Sequence, residues 1–548
     1  MFRPVIADQY TATRVYFGSV IGLLVAESLL PFAAFAYQNY NNSRRKDRHD
    51  LHWSFTVQLH KLLGFPLLIP FLTDYHIADV ARFTAFVALN VIFATQENQF
   101  TTDYKLYGWL TIANGGLALL MASRNNLFAT VLRIPSPVIL QYHRWTGVAT
   151  LAHATAHVAF NIQHYIQTQQ LATSFANTRI RIGLMAWIAL AIMFLTALPI
   201  VRRRFFEVFY FTHGLFIVFT IGALIHAAHG PEFLLPGLLL WAVDRAIRFA
   251  YNFRRIEIQH ITSYEGGVTK FKVKGLRNAS PGQIVWLQLP KISFVNWHPF
   301  TVASAPNDPE QVAVIAVRGL GGFTKAVQYA GSNSADGHSM HPISDSSRMI
   351  DARPKMRLDG PYGVGRIPWG KLPLTVLVAG GIGITPGISI ASHIIRQAAA
   401  CAGPQSQSPH KSVAHVHLLW VVKDSRHIEW FQDELTQLYE VSAKEDLPVT
   451  LDISIYVTGG GRSAPPHADE EGSLRMQDLE PSERPWAVHQ GRPNIKAWFN
   501  QVKIDRVGMD GAVNLCGPRM LINQARNAAM SVSDERGLFY VQEEVFEF

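Results

Sequence analysis

Two long apolar stretches each carry histidines at wide, matched spacing, and these four side chains are the first that could do chemistry. In YHRWTGVATLAHATAHVAF, His143 and His157 lie fourteen residues apart. On a helix turning 100° per residue, fourteen steps fall about 40° short of four turns, so both rings project from nearly one face, about 21 Å apart along the axis. A hydrocarbon slab is about 30 Å thick, so one imidazole would sit in each leaflet. In FYFTHGLFIVFTIGALIHAAHG, His213 and His226 are thirteen apart, with almost the same axial separation of ~20 Å. Thirteen steps miss whole turns by about 140°, so a kink or π-bulge near Gly214 or Gly222 must absorb the difference. With the helices side by side, His143 can face His213 and His157 can face His226. Facing neutral imidazoles are the ligand set of a six-coordinate haem, which cycles one electron and offers substrate no open position on the iron. A single histidine in a membrane helix is more often a packing residue. Ionisable groups inside a bilayer are nonetheless costly and mark function, and four at paired depths favour ligation. His153, His164 and His229 stay as alternative ligands.

Elements able to hold these rings are written in the composition. The 548 residues are 49% hydrophobic and only 16% charged, which leans toward a membrane protein and leaves room for several domains. The apolar runs crowd into the first 250 residues, and the remainder reads as soluble. Spans are expected near 15 to 37, 80 to 96, 107 to 122, 138 to 160, 182 to 200, 206 to 228 and 232 to 250. LLGFPLLIPFL, at 62 to 72, is short, contains two prolines and reads as interfacial. The first run begins late and lacks a clear cleavage site, so it reads as a spanning helix and not a signal peptide. A net charge of +9 comes largely from cations at helix ends, without an aromatic-interleaved patch, which argues against nucleic acid. Seven spans place Arg44, Arg45, Lys46, Arg48, Lys61, Arg124, Arg133 and Arg202 to Arg204 on the same side as the soluble half. The positive-inside rule makes that side cytosolic. The two cysteines, Cys401 and Cys516, supply no disulfide framework and fit a reducing compartment.

After Arg254 short alternating runs such as VTKFKVKGL, QIVWLQL and QVAVIAVRGL predict a small antiparallel barrel over about 255 to 365. From 373 apolar strands alternate with helices, beginning with TVLVAGG and HVHLLWVVKD, which predicts a mostly parallel doubly wound sheet. Polar stretches near 332 to 347, 402 to 412 and 459 to 473 read as surface loops. The fold expectation is thus multi-domain: an α-helical transmembrane bundle of about seven spans, then two soluble domains. Its parts are an N-terminal span and cytosolic interfacial segment (1–79), a transmembrane haem domain (80–252), an antiparallel β-barrel (253–368) and an α/β doubly wound domain (369–548).

Several motifs follow one another in a telling order: GWLTIANGGLALLMASRNN, the four histidines, HPFTVAS, VRGLGGFT, GPYG, GGIGITP, LLWVVKDSRHIEWF, GRPN, CGP and an acidic-aromatic end, EEVFEF. Over roughly 80 to 548 this set resembles the ferric reductase and NADPH oxidase flavocytochrome superfamily, and most closely its fungal ferric-chelate reductases, or metalloreductases. The resemblance implies that Thr301 presents a hydroxyl beside the flavin, with His298, Pro299 and Phe300 shaping its turn. It implies that Arg318, Gly319, Gly321, Gly322 and Thr324 hold the FAD pyrophosphate, where bare backbone amides and a cation suit an anion, and that Gly360 and Pro361 belong to the link between the two soluble lobes. GGIGITP follows a strand and opens a helix, so Gly380, Gly381, Gly383, Thr385 and Pro386 would receive the NADPH pyrophosphate. Cys516, Gly517 and Pro518 would lie beside the nicotinamide. Arg492 is expected on the 2′-phosphate, with Arg426 as second choice, and Phe548 is expected to cover the flavin ring, where tryptophan closes the usual ferric reductase.

The resemblance implies that the soluble half is a ferredoxin-reductase-like module, with FAD bound by the β-barrel (253–368) and NADPH by the α/β domain (369–548), in a transmembrane NADPH-dependent ferric-chelate reductase. Cytosolic NADPH would feed FAD, then two b-type haems, then an extracellular or lumenal ferric chelate or siderophore iron, with a cupric ion as another acceptor. A superoxide-generating NADPH oxidase built of the same parts is the alternative. The expected location is multi-pass in the plasma membrane, with vacuolar or other endomembranes as alternatives. Membrane lipid is the expected surrounding, and an iron-uptake protein is admitted as a partner. Arg179 and Arg181, on the loop that precedes the fifth span, are candidates to attract an anionic chelate.

Overall fold

The computed structural model describes residues 8–43, 77–95, 103–276, 279–294, 296–304, 312–333, 355–363, 367, 369–401, 414–444, 447–459, 486–534 and 536–544. The interfacial stretch at 62 to 72 and Phe548 lie outside them, as do most residues of the three polar loops. The chain divides into two compact units, whose described residues meet in sequence between Ile247 and Arg248.

The first unit is helical: α1 (Gln9–Ser43), α2 (Ile77–Thr95), α3 (Tyr104–Leu120), α4 (Ser136–Gln167), α5 (Thr178–Ala197), α6 (Phe206–His213), α7 (Phe216–His226) and α8 (Gly230–Tyr251), with short helical turns between some of them. Helix starts are set by local chemistry. Asp103 accepts hydrogen bonds from the amides of Lys105 and Leu106 to cap α3, and Asn177 accepts from Arg179 to cap α5. Helix α3 runs through the middle, where its small residues admit neighbours closely: a Cβ on Gly116 would stand 2.2 Å from the Phe233 carbonyl oxygen of α8, and one on Gly237 would stand 2.6 Å from Leu119 Cβ. The outer faces carry bare apolar residues such as Met185, Leu195 and Leu239, a surface suited to lipid. Helices stand at all seven expected positions. Three of them, Ile77–Thr95, Thr178–Ala197 and Phe206–His226, are long and apolar enough to cross a membrane by length and composition. The others are short, as α3 is with 17 residues, or keep polar groups inside, as α4 does with Thr146 and Thr150 and α8 with Asp244.

The second unit begins with two antiparallel sheets. One has the order β1 (Glu257–Tyr264), β2 (Val268–Lys274), β5 (Ala313–Arg318), and the other β4 (His298–Thr301), β3 (Ile284–Gln288), β6 (Arg357–Tyr362). They enclose a shared core of Phe271, Val285, Leu287, Ile315 and Leu358. The expected single barrel is thus, among the described residues, two sheets joined along a seam where Val302 bridges Ile315. Helix α9 (Gly322–Asn333) follows β5.

Next comes a six-stranded sheet, parallel at every pairing, of β7 (Leu374–Gly380), β8 (Ala414–Val422), β9 (Val449–Val457), β10 (Ala487–Gln490), β11 (Gly511–Cys516) and β12 (Phe539–Glu544). Its order is β10-β9-β8-β7-β11-β12. Helices α10 (Ile384–Cys401) and α11 (Gln432–Ser442) cover one face around Ile394, Leu418 and Ile455. Helices α12 (Ile495–Asp505) and α13 (Arg519–Val532) cover the other around Val376, Phe499 and Val513. Succession along the sheet reverses between β7 and β11, and in such sheets the ligand crevice opens at the carboxyl ends of the two strands flanking that reversal.

Candidate functional sites

Helix α4 carries His143 and His157, α6 ends on His213 and α7 ends on His226. The break demanded by the thirteen-residue spacing falls at Gly214 and Leu215, whose amides turn back to the carbonyls of Phe211 and Thr212. It lets both rings meet α4. His143 and His213 have ring centres 6.2 Å apart with planes crossing at 64°, and His157 and His226 lie 6.0 Å apart at 79°. Two metal–nitrogen bonds of about 2.0 Å plus the inner halves of two five-membered rings put the centres of axial imidazoles roughly 6 Å apart. Both pairs fit that span.

Backbone sets the tautomers. Nδ1 donates to the Ala118 carbonyl oxygen from His143 (2.9 Å), to that of Tyr104 from His157 (2.6 Å) and to that of Arg179 from His226 (2.9 Å). Each of these rings keeps its lone pair on Nε2, the form that ligates iron. His213 Nδ1 is buried with no acceptor among the described residues. Glycines make room for two of the rings: a Cβ on Gly183 would stand 2.6 Å from His226, and one on Gly108 would stand 2.9 Å from His157. Sequence reading missed both, although each is a glycine in the first two turns of an apolar helix, close in sequence to the N-terminal cap. The alternative histidines have other neighbours. His153 meets Asn90 Oδ1 at 3.1 Å, His164 lies against Tyr104, and His229 lies between Tyr10 and Trp109. Arg179 donates from Nε to the Ile225 carbonyl oxygen, and its own carbonyl accepts from His226. Arg181 stays exposed and donates to Thr178.

In the second unit β4 alternates: His298 and Phe300 are half-buried while Pro299 and Thr301 are buried. Thr301 Oγ1 and His298 Nε2 are both buried without a protein partner among the described residues, and such polar atoms ask for a ligand. The His298 ring stacks on Phe323 at 4.2 Å, and burial holds its pKa below the ordinary value. Thr324 plays a structural part, accepting from the amides of Leu320 and Gly321 at 2.9 Å each and so fixing the loop that starts α9 at Gly322. A Cβ on Gly319 would strike Gln328 at 2.2 Å. The peptide between Gly360 and Pro361 is cis. Arg318, assigned by sequence to the FAD pyrophosphate, lies over Trp430 at 5.4 Å with Nη1 beside the turn at Gly381. Its charge therefore serves the nucleotide lobe's glycine turn as well.

At the reversal of strand order, GGIGITP from β7 and CGP from β11 interlock through glycine. A Cβ on Gly380 would stand 2.5 Å from Pro518, one on Gly383 would stand 2.6 Å from the Cys516 carbonyl oxygen, and one on Gly517 would stand 2.9 Å from the Gly380 amide. Helices α10 and α13 start immediately after these loops, with Thr385 and Pro386 in the first turn of α10, so two helix N-termini offer amides to an anion. Trp420 braces the turn by donating to the Gly381 carbonyl oxygen at 2.9 Å. Burial raises the Cys516 thiol well above its ordinary pKa, which keeps it protonated. Its register partner on β12 is Glu544. Burial pushes that carboxyl up to about 7, against a hydrogen bond from Asn514. Sequence reading did not single out Glu544, which stands in the acidic-aromatic end EEVFEF and, once folded, level with CGP. Arg426 is committed elsewhere, paired at 2.8 Å with both Glu265 and Asp424. Arg492 is exposed in the loop after β10, three strands from β7 or roughly 15 Å across the sheet.

Residues 107–224 match the family model for a ferric reductase like transmembrane component, 253–366 that for an FAD-binding domain, and 374–530 that for a ferric reductase NAD binding domain. NADPH oxidase 3 of Homo sapiens is 27% identical over 416 residues, covering 66% of this chain and 69% of that protein. Two proteins of Arabidopsis thaliana are also similar. Ferric reduction oxidase 7 is 27% identical over 357 residues (61% of this chain, 45% of that protein), and ferric reduction oxidase 2 is 30% identical over 295 (52% and 38%). The chain thus spans less than half the length of these plant relatives. A ferredoxin NADP+ reductase from Neisseria gonorrhoeae aligns with 53% of this chain and 98% of its own at 12% identity, with a TM-score of 0.31 that is too low to bear on the fold.

Proposed function

This chain belongs to the ferric reductase and NADPH oxidase superfamily of transmembrane flavocytochromes, and on that premise we propose that it is a ferric-chelate reductase. In this reading it uses cytosolic NADPH, FAD and two b-type haems, and delivers electrons to a ferric chelate, siderophore iron or cupric ion outside or in a lumen. The helical unit crosses the membrane about seven times, with the soluble module in the cytosol, and the plasma membrane is the assigned location. The observation that supports the transmembrane electron-transfer part of the reading, which a reductase and an oxidase share, is the pair of facing imidazole couples, both at the separation a bis-imidazole iron requires. When bound, the flavin divides a two-electron hydride into single electrons that six-coordinate haem can pass on.

The chain's own residues do the rest. His143 with His213, and His157 with His226, would hold the two haems, which would supply one-electron transfer without an open position for substrate. Gly380, Gly381 and Gly383 bring bare backbone to the NADPH pyrophosphate, and Arg492 meets the 2′-phosphate. Thr301 and His298 turn their unpartnered polar atoms to the flavin, and the Cys516 thiol, kept neutral, packs by the nicotinamide without placing a charge there.

A second reading has its own support: the NADPH oxidase relative is matched over more of its length than the plant ferric reductases are. Anaerobic reduction of the purified holoprotein by NADPH, followed by ferric citrate or by oxygen, separates the two. Rapid haem reoxidation by ferric citrate with stoichiometric Fe(II), and slow reoxidation by oxygen, is the expected result. Fast reoxidation by oxygen with superoxide as product would overturn it in favour of the oxidase.

A further inference from the structure

Lys270 is 2% exposed. It lies on β2 between Thr262 of β1 and Ala316 of β5, on the face opposite the Phe271 and Val273 core. That face, with Val268, Val314 and Ala316, packs into the same apolar cluster as Leu418, Trp430 and Phe431 of the nucleotide lobe. A lysine in such a seam is costly unless its charge is met. Its ammonium donates to both carboxylate oxygens of Glu434, at 3.0 and 2.9 Å, in the first turn of α11. Tyr264 and Phe431 flank it, with ring centres 5.0 and 5.2 Å away. Burial alone would lower the Lys270 pKa, but Glu434 and Tyr264 outweigh it and the net direction is up, so the ion pair persists at neutral pH.

A second contact lies beside it. Trp430 Nε1 donates to the Glu265 carbonyl oxygen at 2.9 Å, and Gly266, at φ +82°, passes so near His427 that a Cβ would stand 2.7 Å from it. Trp430 is the ring beneath Arg318, and Arg318 reaches the turn at Gly381. The seam thus runs from the flavin-side sheet to the nucleotide glycines.

We propose that Lys270 and Glu434 are positioning residues for hydride transfer, fixing the register of the flavin lobe on the nucleotide lobe and hence how closely the nicotinamide approaches the flavin. Apolar packing could fill this seam equally well but would tolerate sliding, because one aliphatic contact replaces another at little cost. A buried ion pair has one low-energy arrangement, and displacement leaves an unpaired ammonium among aromatic rings. The inference rests on the NADPH and FAD reading of this module and concerns a step upstream of the terminal acceptor.

The test is anaerobic stopped-flow bleaching of the flavin in the full-length holoprotein at saturating NADPH. Lys270→Met should slow flavin reduction at least tenfold, with FAD content unchanged and the KM for NADPH within twofold. The double variant Lys270→Met with Glu434→Leu removes the unpaired carboxylate and keeps the seam packed. It should match or exceed the wild-type melting temperature and still reduce flavin slowly. Wild-type rates in both variants, or recovery of both rate and stability in the double variant, would overturn the proposal and leave the pair a packing element. A wild-type protein whose flavin is not bleached by NADPH at all would instead sink the cofactor reading beneath it.

Discussion

The two histidine couples share helix α4 and nearly the same ring separation, yet they are held by different means. In the His157–His226 couple both rings donate Nδ1–H to a backbone carbonyl, and both lie against a glycine. In the His143–His213 couple only His143 has a carbonyl, and among the described residues no glycine's missing Cβ points at either ring. A carbonyl behind an axial imidazole makes it a stronger electron donor and favours oxidised iron. In the proposed haem sites the His157–His226 couple, with a carbonyl behind each ring, would be the more electron-donating ligand pair.

Deleting a ligand tests whether the couples are independent. His157→Ala should lower pyridine haemochrome from near two haems per chain to near one, with the remaining haem still reduced by NADPH. Loss of both would mean that the couples form one cooperative unit. A milder perturbation follows from the glycines: Gly183→Ala forces a methyl into the His226 ring, an overpacking worth about 1–3 kcal/mol, and should lower haem content and melting temperature. Gly147→Ala, on the helix of His143, meets nothing within 4 Å and should leave both unchanged. Equal behaviour of the two variants would erase the distinction drawn from packing. The smallest effect is on potential. A spectroelectrochemical titration should resolve two one-electron waves, and the wave missing in His157→Ala should be the lower. If the missing wave is the higher one, the carbonyl argument has the wrong sign.

The two facing histidine pairs, the break near Gly214 and the two loops at the strand reversal were all legible, because each is a local pattern: histidine spacing against helical pitch, or glycines between a strand and a helix. What stayed hidden depends on a neighbour distant in sequence. Gly108 and Gly183 read as ordinary packing glycines until the histidines are folded onto them. Arg426 reads as a free cation until Glu265, remote in the chain, comes beside it. Lys270 was the most misleading, since VTKFKVK places it with Lys272 and Lys274 on what looks like a solvated strand face. Lys274 is exposed and Lys272 half-buried, while Lys270 disappears beneath another lobe. Strand patterns likewise give alternation without saying which edges pair, so the order of the two three-stranded sheets and the Val302–Ile315 bridge between them could not be read in advance.

The order of the six-stranded sheet also has a consequence for how the chain is made. All six flavin-side strands precede β7, and their pairing is antiparallel, so that lobe can close while synthesis continues. Strand β7 is buried along its whole length, yet one of its edges must wait for β11, which follows β8, β9 and β10 in the chain. A nascent protein of this sequence thus carries an open apolar strand edge from the synthesis of Gly380 until that of Gly511, a template for wrong pairing. Ribosome-bound chains arrested after Val457 should capture more holdase chaperone than chains extended through Glu544, and equal capture would show that the edge is shielded by other means.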